Sequence, residues 1–282
     1  MARKPPLPAY LSPDQVIALQ DALLSNADRL LRGALTMLDH ADLSLARSLA
    51  ILGMEESGKA IALHERRVGI QYAPEGEAFV DQCLLDLWAQ HTLKLETVHS
   101  FLVQEQYWFG VEPADPEENE QILGTIDAWK RDHNTLKQRG FYIDVNPEGD
   151  PVTPEEVADA EAVRAVIGHV HQIGWQLRLG EHIEGKSQRE RAEDIPPSSE
   201  EEIEEMRHAF RSVDPVIRDG IIESMRRGET GEPIRNASYA FRAPSSPFEN
   251  VGRPGYEAQD RELRALWEEG NSAQEDVSNS NE

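Results

Sequence analysis

Residues 46–63, ARSLAILGMEESGKAIAL, constrain this chain more than any other stretch. They are apolar and helix-prone, yet Glu55, Glu56 and Lys59 sit in the middle. On a helix, Leu45, Leu49, Leu52, Glu56, Lys59 and Leu63 fall on one stripe, so Glu56 and Lys59 are expected to point toward the core. Glu55 and Lys59 are four residues apart with the acid first, the better order for an intrahelical pair. Charge buried without a partner is costly, so these groups must be paired or line a hydrated cavity. Two readings stand: a structural ion-pair network that fixes how helices cross, or a functional pocket. Gly53 and Gly58 weaken a helix interior, which predicts close approach of a neighbouring helix.

The rest of the chain supplies the neighbours. Ser12-Pro13-Asp14 reads as an N-cap, a first-turn proline and an early acid. A helix is expected from there to about Leu38, with Val16, Leu19, Leu23, Ala27, Leu30, Leu31 and Leu35 at helical spacing. Asp42 is placed to cap the second helix, which runs to about Arg67. A third is expected over residues 77–108 and a fourth from Asp115 to about Gly140. A short extended piece, Phe141 to Val145, follows. A fifth helix is expected to open at Thr153-Pro154-Glu155-Glu156 and reach about Glu184. Alternating strand patterns are essentially absent. The expectation is an all-α antiparallel helical bundle over 12–185. A helical extension should cover 186–270, with helices near 198–211, 214–227 and 256–269, and Ser199 and Glu202 forming a capping box. The polar tail, 271–282, reads as disordered.

Composition narrows the function. With 28 Lys and Arg against 52 Asp and Glu, the net charge of −24 repels nucleic acid at long range. Action on RNA would require a local basic pocket. No apolar run approaches the ~20 residues a membrane-spanning helix needs, so no membrane partner is expected. The first residues, MARKPPLPAYLSP, lack the apolar segment of a secretory signal. The single cysteine, Cys83, fits a reducing cytoplasm and excludes multi-cysteine zinc sites. It lies in an apolar helical pattern and reads as a small buried residue. Trp88, Trp108, Trp129 and Trp175 read as core or interface anchors. DVNPEGDPVTPE matches a calcium loop at Asp144, Asn146, Glu148, Gly149, Asp150 and Glu155, but Pro147 and Pro151 oppose it. The reading adopted is a turn-rich linker, with no metal and no cofactor.

Three pieces in order carry a resemblance. SLAILGMEESGKAIAL resembles the E-E-x-G-K signature of AbiV-type abortive-infection proteins, bacterial anti-phage factors of the HEPN helical superfamily. HTLKLE at 91–96 resembles that family's H-x-x-K, and KRDHNTLKQRGFYID at 130–144 resembles its following element. The resemblance spans about 15–180. It implies a polar centre, binding or structural, of Glu55, Glu56, Lys59, His91, Lys94, Arg131, Lys137, Tyr142 and Asp144. It also implies R-x(4–6)-H chemistry, which RAVIGHVH supplies as Arg164 with His169, or with His171. A histidine exchanges a proton near neutral pH and an arginine clamps a phosphate, so RNA cleavage through the ribose 2′-hydroxyl needs no metal. In that superfamily the motif usually works across a homodimer.

Ala165 stands where active members often have a polar residue. The same spacing also describes a solvated arginine and a half-buried structural histidine. Arg178 and His182 miss the spacing. The expected function is abortive infection, either as a metal-independent endoribonuclease or as a non-catalytic protein that binds a phage or translation component. An unrelated helical protein with purely structural charges is the third reading.

Overall fold

The computed structural model describes residues 7–104, 115–154, 159–242, 248–257, 259–261 and 263–264. The fold is all-α with one small hairpin of strands among these residues. Helix α1, Pro13–Asp39, begins with a capping box in which Ser12 and Gln15 satisfy each other's backbone amides. Helix α2, Leu43–Ile70, is capped by Asp42 through the Leu45 amide. Between them Asp42 donates to the Met37 carbonyl and Ala41 to that of Leu38, with Ala41 at φ 60°. This closed C-terminal turn reverses the chain and lays α2 back along α1.

Helix α2 packs against α1, α4, α6 and α7 and is buried on most of its circumference. That explains an apolar sequence without one dominant face. Gly58 touches α4: a Cβ there would collide with the Lys94 carbonyl. Gly140, after α6, packs as tightly on Ser44 and Ser48 of α2, and Ser48 Oγ donates to the Lys137 carbonyl at 2.8 Å. The core gathers Leu31 from α1, Ile51, Met54 and Ile61 from α2, Leu95 from α4, and Ile173 and Leu177 from α7.

The expected third helix is two helices, α3 (Gln82–Ala89) and α4 (His91–Val103), separated by the extended Gln90. Trp108 lies outside the described residues. The expected fourth is also two, α5 (Pro116–Leu123) and α6 (Ile126–Arg139), broken where Gly124 takes φ 80°. Cys83 is exposed, because Leu84 and Leu87 occupy the inward face of α3. The 144–155 stretch is not a calcium loop over its described part. Strands β1 (Asp144–Val145) and β2 (Pro151–Val152) pair antiparallel around a turn closed by Gly149 and Asn146. Glu155 lies outside the described residues.

Helix α7, Ala160–Ala192, is capped by Asp159 rather than Thr153, and it continues past the expected end at Glu184. Helices α8 (Glu200–Ala209), with the Ser199–Glu202 capping box, and α9 (Pro215–Arg227) pack on each other. Described residues between 257 and 264 are helical, and the tail from 265 on lies outside the described residues.

The segment after α9 returns to the bundle. Asn236 donates to the Ile70, Ala73 and Pro74 carbonyls, and Tyr239 Oη donates to Leu11 O at 2.9 Å. Among the described residues no helix is long and apolar enough to cross a membrane.

Candidate functional site

The charges within α2 meet partners from two other helices. Glu55 is buried; one carboxylate oxygen accepts from Lys137 of α6, and the other lies 2.6 Å from His91 Nδ1 of α4. Glu55 therefore does not form the intrahelical pair with Lys59 that its spacing favours. Lys59 turns to Glu56 instead, at 2.7 Å, and lies over the Trp88 ring. Glu56 is only half-buried, so of the two acids it is Glu55 that faces inward. Because α2 is enclosed on several sides, a single stripe does not define its interior. Lys94 is buried on α4, with its carbonyl against Gly58.

Glu55, Glu56, Lys59, His91, Lys94 and Lys137 thus gather where α2, α4 and α6 cross. Three other expected members do not. Arg131 is exposed and pairs with its neighbour Asp132 at 3.2 Å. Tyr142 is 70% exposed, and the exposed Asp144 accepts from the next amide, Val145. The loop after Gly140 carries both of them away from the crossing.

A second charged centre lies near the C-terminal end of α2 and was not anticipated. Arg178 of α7 is buried and donates to Asp21, to Glu181 and to the Gly255 carbonyl, with the Tyr256 ring 3.9 Å away. Burial opposes its charge, but Glu181, Tyr256 and Asp21 outweigh that and raise its pKa. Arg67 of α2 joins through Gln20 and the Tyr239 and Ala240 carbonyls. Burial, with Arg67 and Arg178 adding to it, lowers the pKa of His64 to about 3, so it is neutral at physiological pH. One signal was present: Gln20 and Arg67 interrupt the apolar stripes of α1 and α2. The carbonyl partners, from distant residues 239, 240 and 255, leave no pattern in the sequence.

The R-x(4–6)-H residues lie on α7. Arg164 is exposed and His169 is half-buried, with Nδ1 enclosed and without a hydrogen-bond partner among the described residues. Five residues along a helix separate the two side chains by about 140° of rotation, so one chain does not bring them to one point. His171, seven residues from Arg164, lies nearer its face. Burial first, and His133 of α6 next, lower the His169 pKa. Burial also lowers that of His133, with Arg47 and His99 adding to it against Trp129 O and Asp132. Arg47, buried on α2, is lowered by burial and by Arg139. Arg47, His133, Arg139 and His169 therefore lie within electrostatic reach of one another across α2, α6 and α7, with Asp132 among them.

The described residues form an all-helical bundle crossed by buried ion pairs, with Arg164 and His169 both on α7. The chain belongs to the AbiV family, an abortive-infection family of HEPN type: the HEPN_AbiV family model, described as AbiV, matches residues 15–175, more than half of the chain. No curated protein and no solved structure shows significant similarity to it.

Proposed function

We propose that this protein acts in bacterial phage defence by abortive infection, as a metal-independent endoribonuclease of the cytoplasm. The observation that carries the reading is that the exposed Arg164 and the half-buried His169 share α7, in a chain whose net charge is −24. RNA approaching an acidic protein needs a local positive focus, which the exposed Arg139 and Arg164 supply. A histidine whose pKa is lowered is neutral near pH 7 and is free to accept a proton.

In the proposed step His169 takes the proton of a ribose 2′-hydroxyl. The oxygen attacks the adjacent phosphorus, and the 5′-oxygen leaves and takes up a proton. Arg164 donates to the non-bridging phosphate oxygens as charge develops on them. The rotation between Arg164 and His169 favours a homodimer, in which Arg164 of a second copy completes the site. The buried crossing at Glu55 is then structural and holds α4 and α6 against α2.

The exposed run of Phe141, Tyr142, Ile143 and Val145 favours a second reading, a non-catalytic protein that docks a phage or translation component there. Phage challenge of cells carrying Arg164→Ala or His169→Ala separates the two. Lost protection with a folded protein supports the nuclease. Retained protection refutes it and favours docking.

A further inference from the structure

The second charged centre opens into a cavity of about 340 Å³ between α1, α2, α7 and the segments around residues 241–242 and 249–256. That is within the ~300–1,000 Å³ of small-ligand sites and too small for an RNA strand. Four arginines line it, Arg67, Arg178, Arg242 and Arg253, against three carboxylates, Asp21, Glu181 and Glu249. The lining is net positive by one charge in a protein of net −24.

The four arginines are not equally committed. Arg178 is saturated by protein acceptors. Arg67 is buried, and its hydrogen bonds among the described residues are long, 3.2–3.4 Å to three acceptors, with Glu181 at 3.7 Å. With five N–H groups on a guanidinium, donor capacity remains at the cavity wall. Among the described residues Arg242 pairs with the exposed Asp14, at 3.8 Å, and Arg253 holds Asn250 of its own turn. Such exposed pairs are weak and exchange readily for a ligand. Phe241 and Tyr256 add aromatic wall, and Asp21 offers an acceptor oxygen beside the one that Arg178 occupies.

We propose that this cavity binds a mononucleotide, its phosphate held by Arg242 and Arg253 and its nucleoside against Tyr256 and Phe241. The site is separate from Arg164 and His169, so it stands or falls independently of the nuclease reading.

The test is calorimetric titration of the full chain carrying Arg164→Ala and His169→Ala, with AMP, UMP and inorganic phosphate as probes. We expect a nucleotide to bind at least tenfold more tightly than phosphate, and Arg253→Gln or Arg242→Gln to weaken that binding at least tenfold. Both rim residues are exposed, so either variant should fold. Equal binding of phosphate and nucleotide overturns the assignment, as does no binding of either nucleotide at millimolar concentration. Nucleotide binding unchanged in both rim variants overturns it too.

Discussion

Lys137 of α6 donates to Glu55 of α2 inside the bundle, and His91 of α4 meets the other oxygen of the same carboxylate. One acid on the central helix thereby fixes two neighbours. Removing one partner leaves a buried charge poorly compensated, at a cost of roughly 3–5 kcal/mol. Lys137→Met should lose about 3 kcal/mol, near the lower bound because His91 remains. The double variant Glu55→Met, Lys137→Met should lie much closer to wild type. Urea unfolding of the single and double variants reads the coupling; equal losses in all of them would count against a paired centre.

The α2–α4 contact depends on the absence of a side chain at Gly58. Gly58→Ala must push back the Lys94 backbone, not a flexible side-chain tip. Overpacking of this kind costs about 1–3 kcal/mol, against the gain of up to ~1 kcal/mol that alanine brings to an exposed helix. A lowered urea midpoint is expected. Gly69→Ala is the control, because nothing lies near its added Cβ.

Ala41 adopts φ 60° where α1 ends, a conformation that costs a residue with a Cβ about 1–2 kcal/mol. Ala41→Gly removes that strain but loosens the unfolded chain. A net gain of about 1 kcal/mol is expected, or about 2–4 °C in Tm for a domain of this size. Differential scanning calorimetry measures it.

His64 supplies a pH dependence with a definite sign. Its folded pKa, about 3, lies below the ordinary 6.5, so the unfolded chain binds the proton first. Its contribution is complete above pH ~6.5 and falls by about 1.4 kcal/mol per pH unit as pH drops toward 3. His64→Gln should flatten the acid limb of a stability–pH curve by one proton. An unchanged slope would show that His64 is not held neutral by the fold.

Local signals carried the reading of the sequence furthest. Ser12, Asp42 and Ser199 announced helix starts because a cap is a contact within one turn. Gly58 announced a close approach because its cost has to be offset by something nearby. The breaks at Gln90 and Gly124 were missed, since short apolar runs continue across both. Glu55 rather than Glu56 faces inward because α2 has neighbours on several sides, which one stripe cannot describe. Arg131, Tyr142 and Asp144 follow the family pattern in sequence, yet Arg131 lies on the outward face of α6 and the loop after Gly140 takes the other two to the surface. The Arg178 centre was largely hidden because its partners Asp21 and Gly255, and the Tyr239 and Ala240 carbonyls that hold Arg67, come from distant parts of the chain brought in by folding.

The central claim is that α7 carries nuclease chemistry. Purified wild-type chain, incubated with RNA in EDTA, should yield fragments ending in 2′,3′-cyclic phosphate and 5′-hydroxyl. A folded His169→Ala variant should cleave on the order of 10²–10⁴ times more slowly. Equal cleavage by that variant, or a wild-type chain that protects cells while leaving RNA intact, would contradict the account.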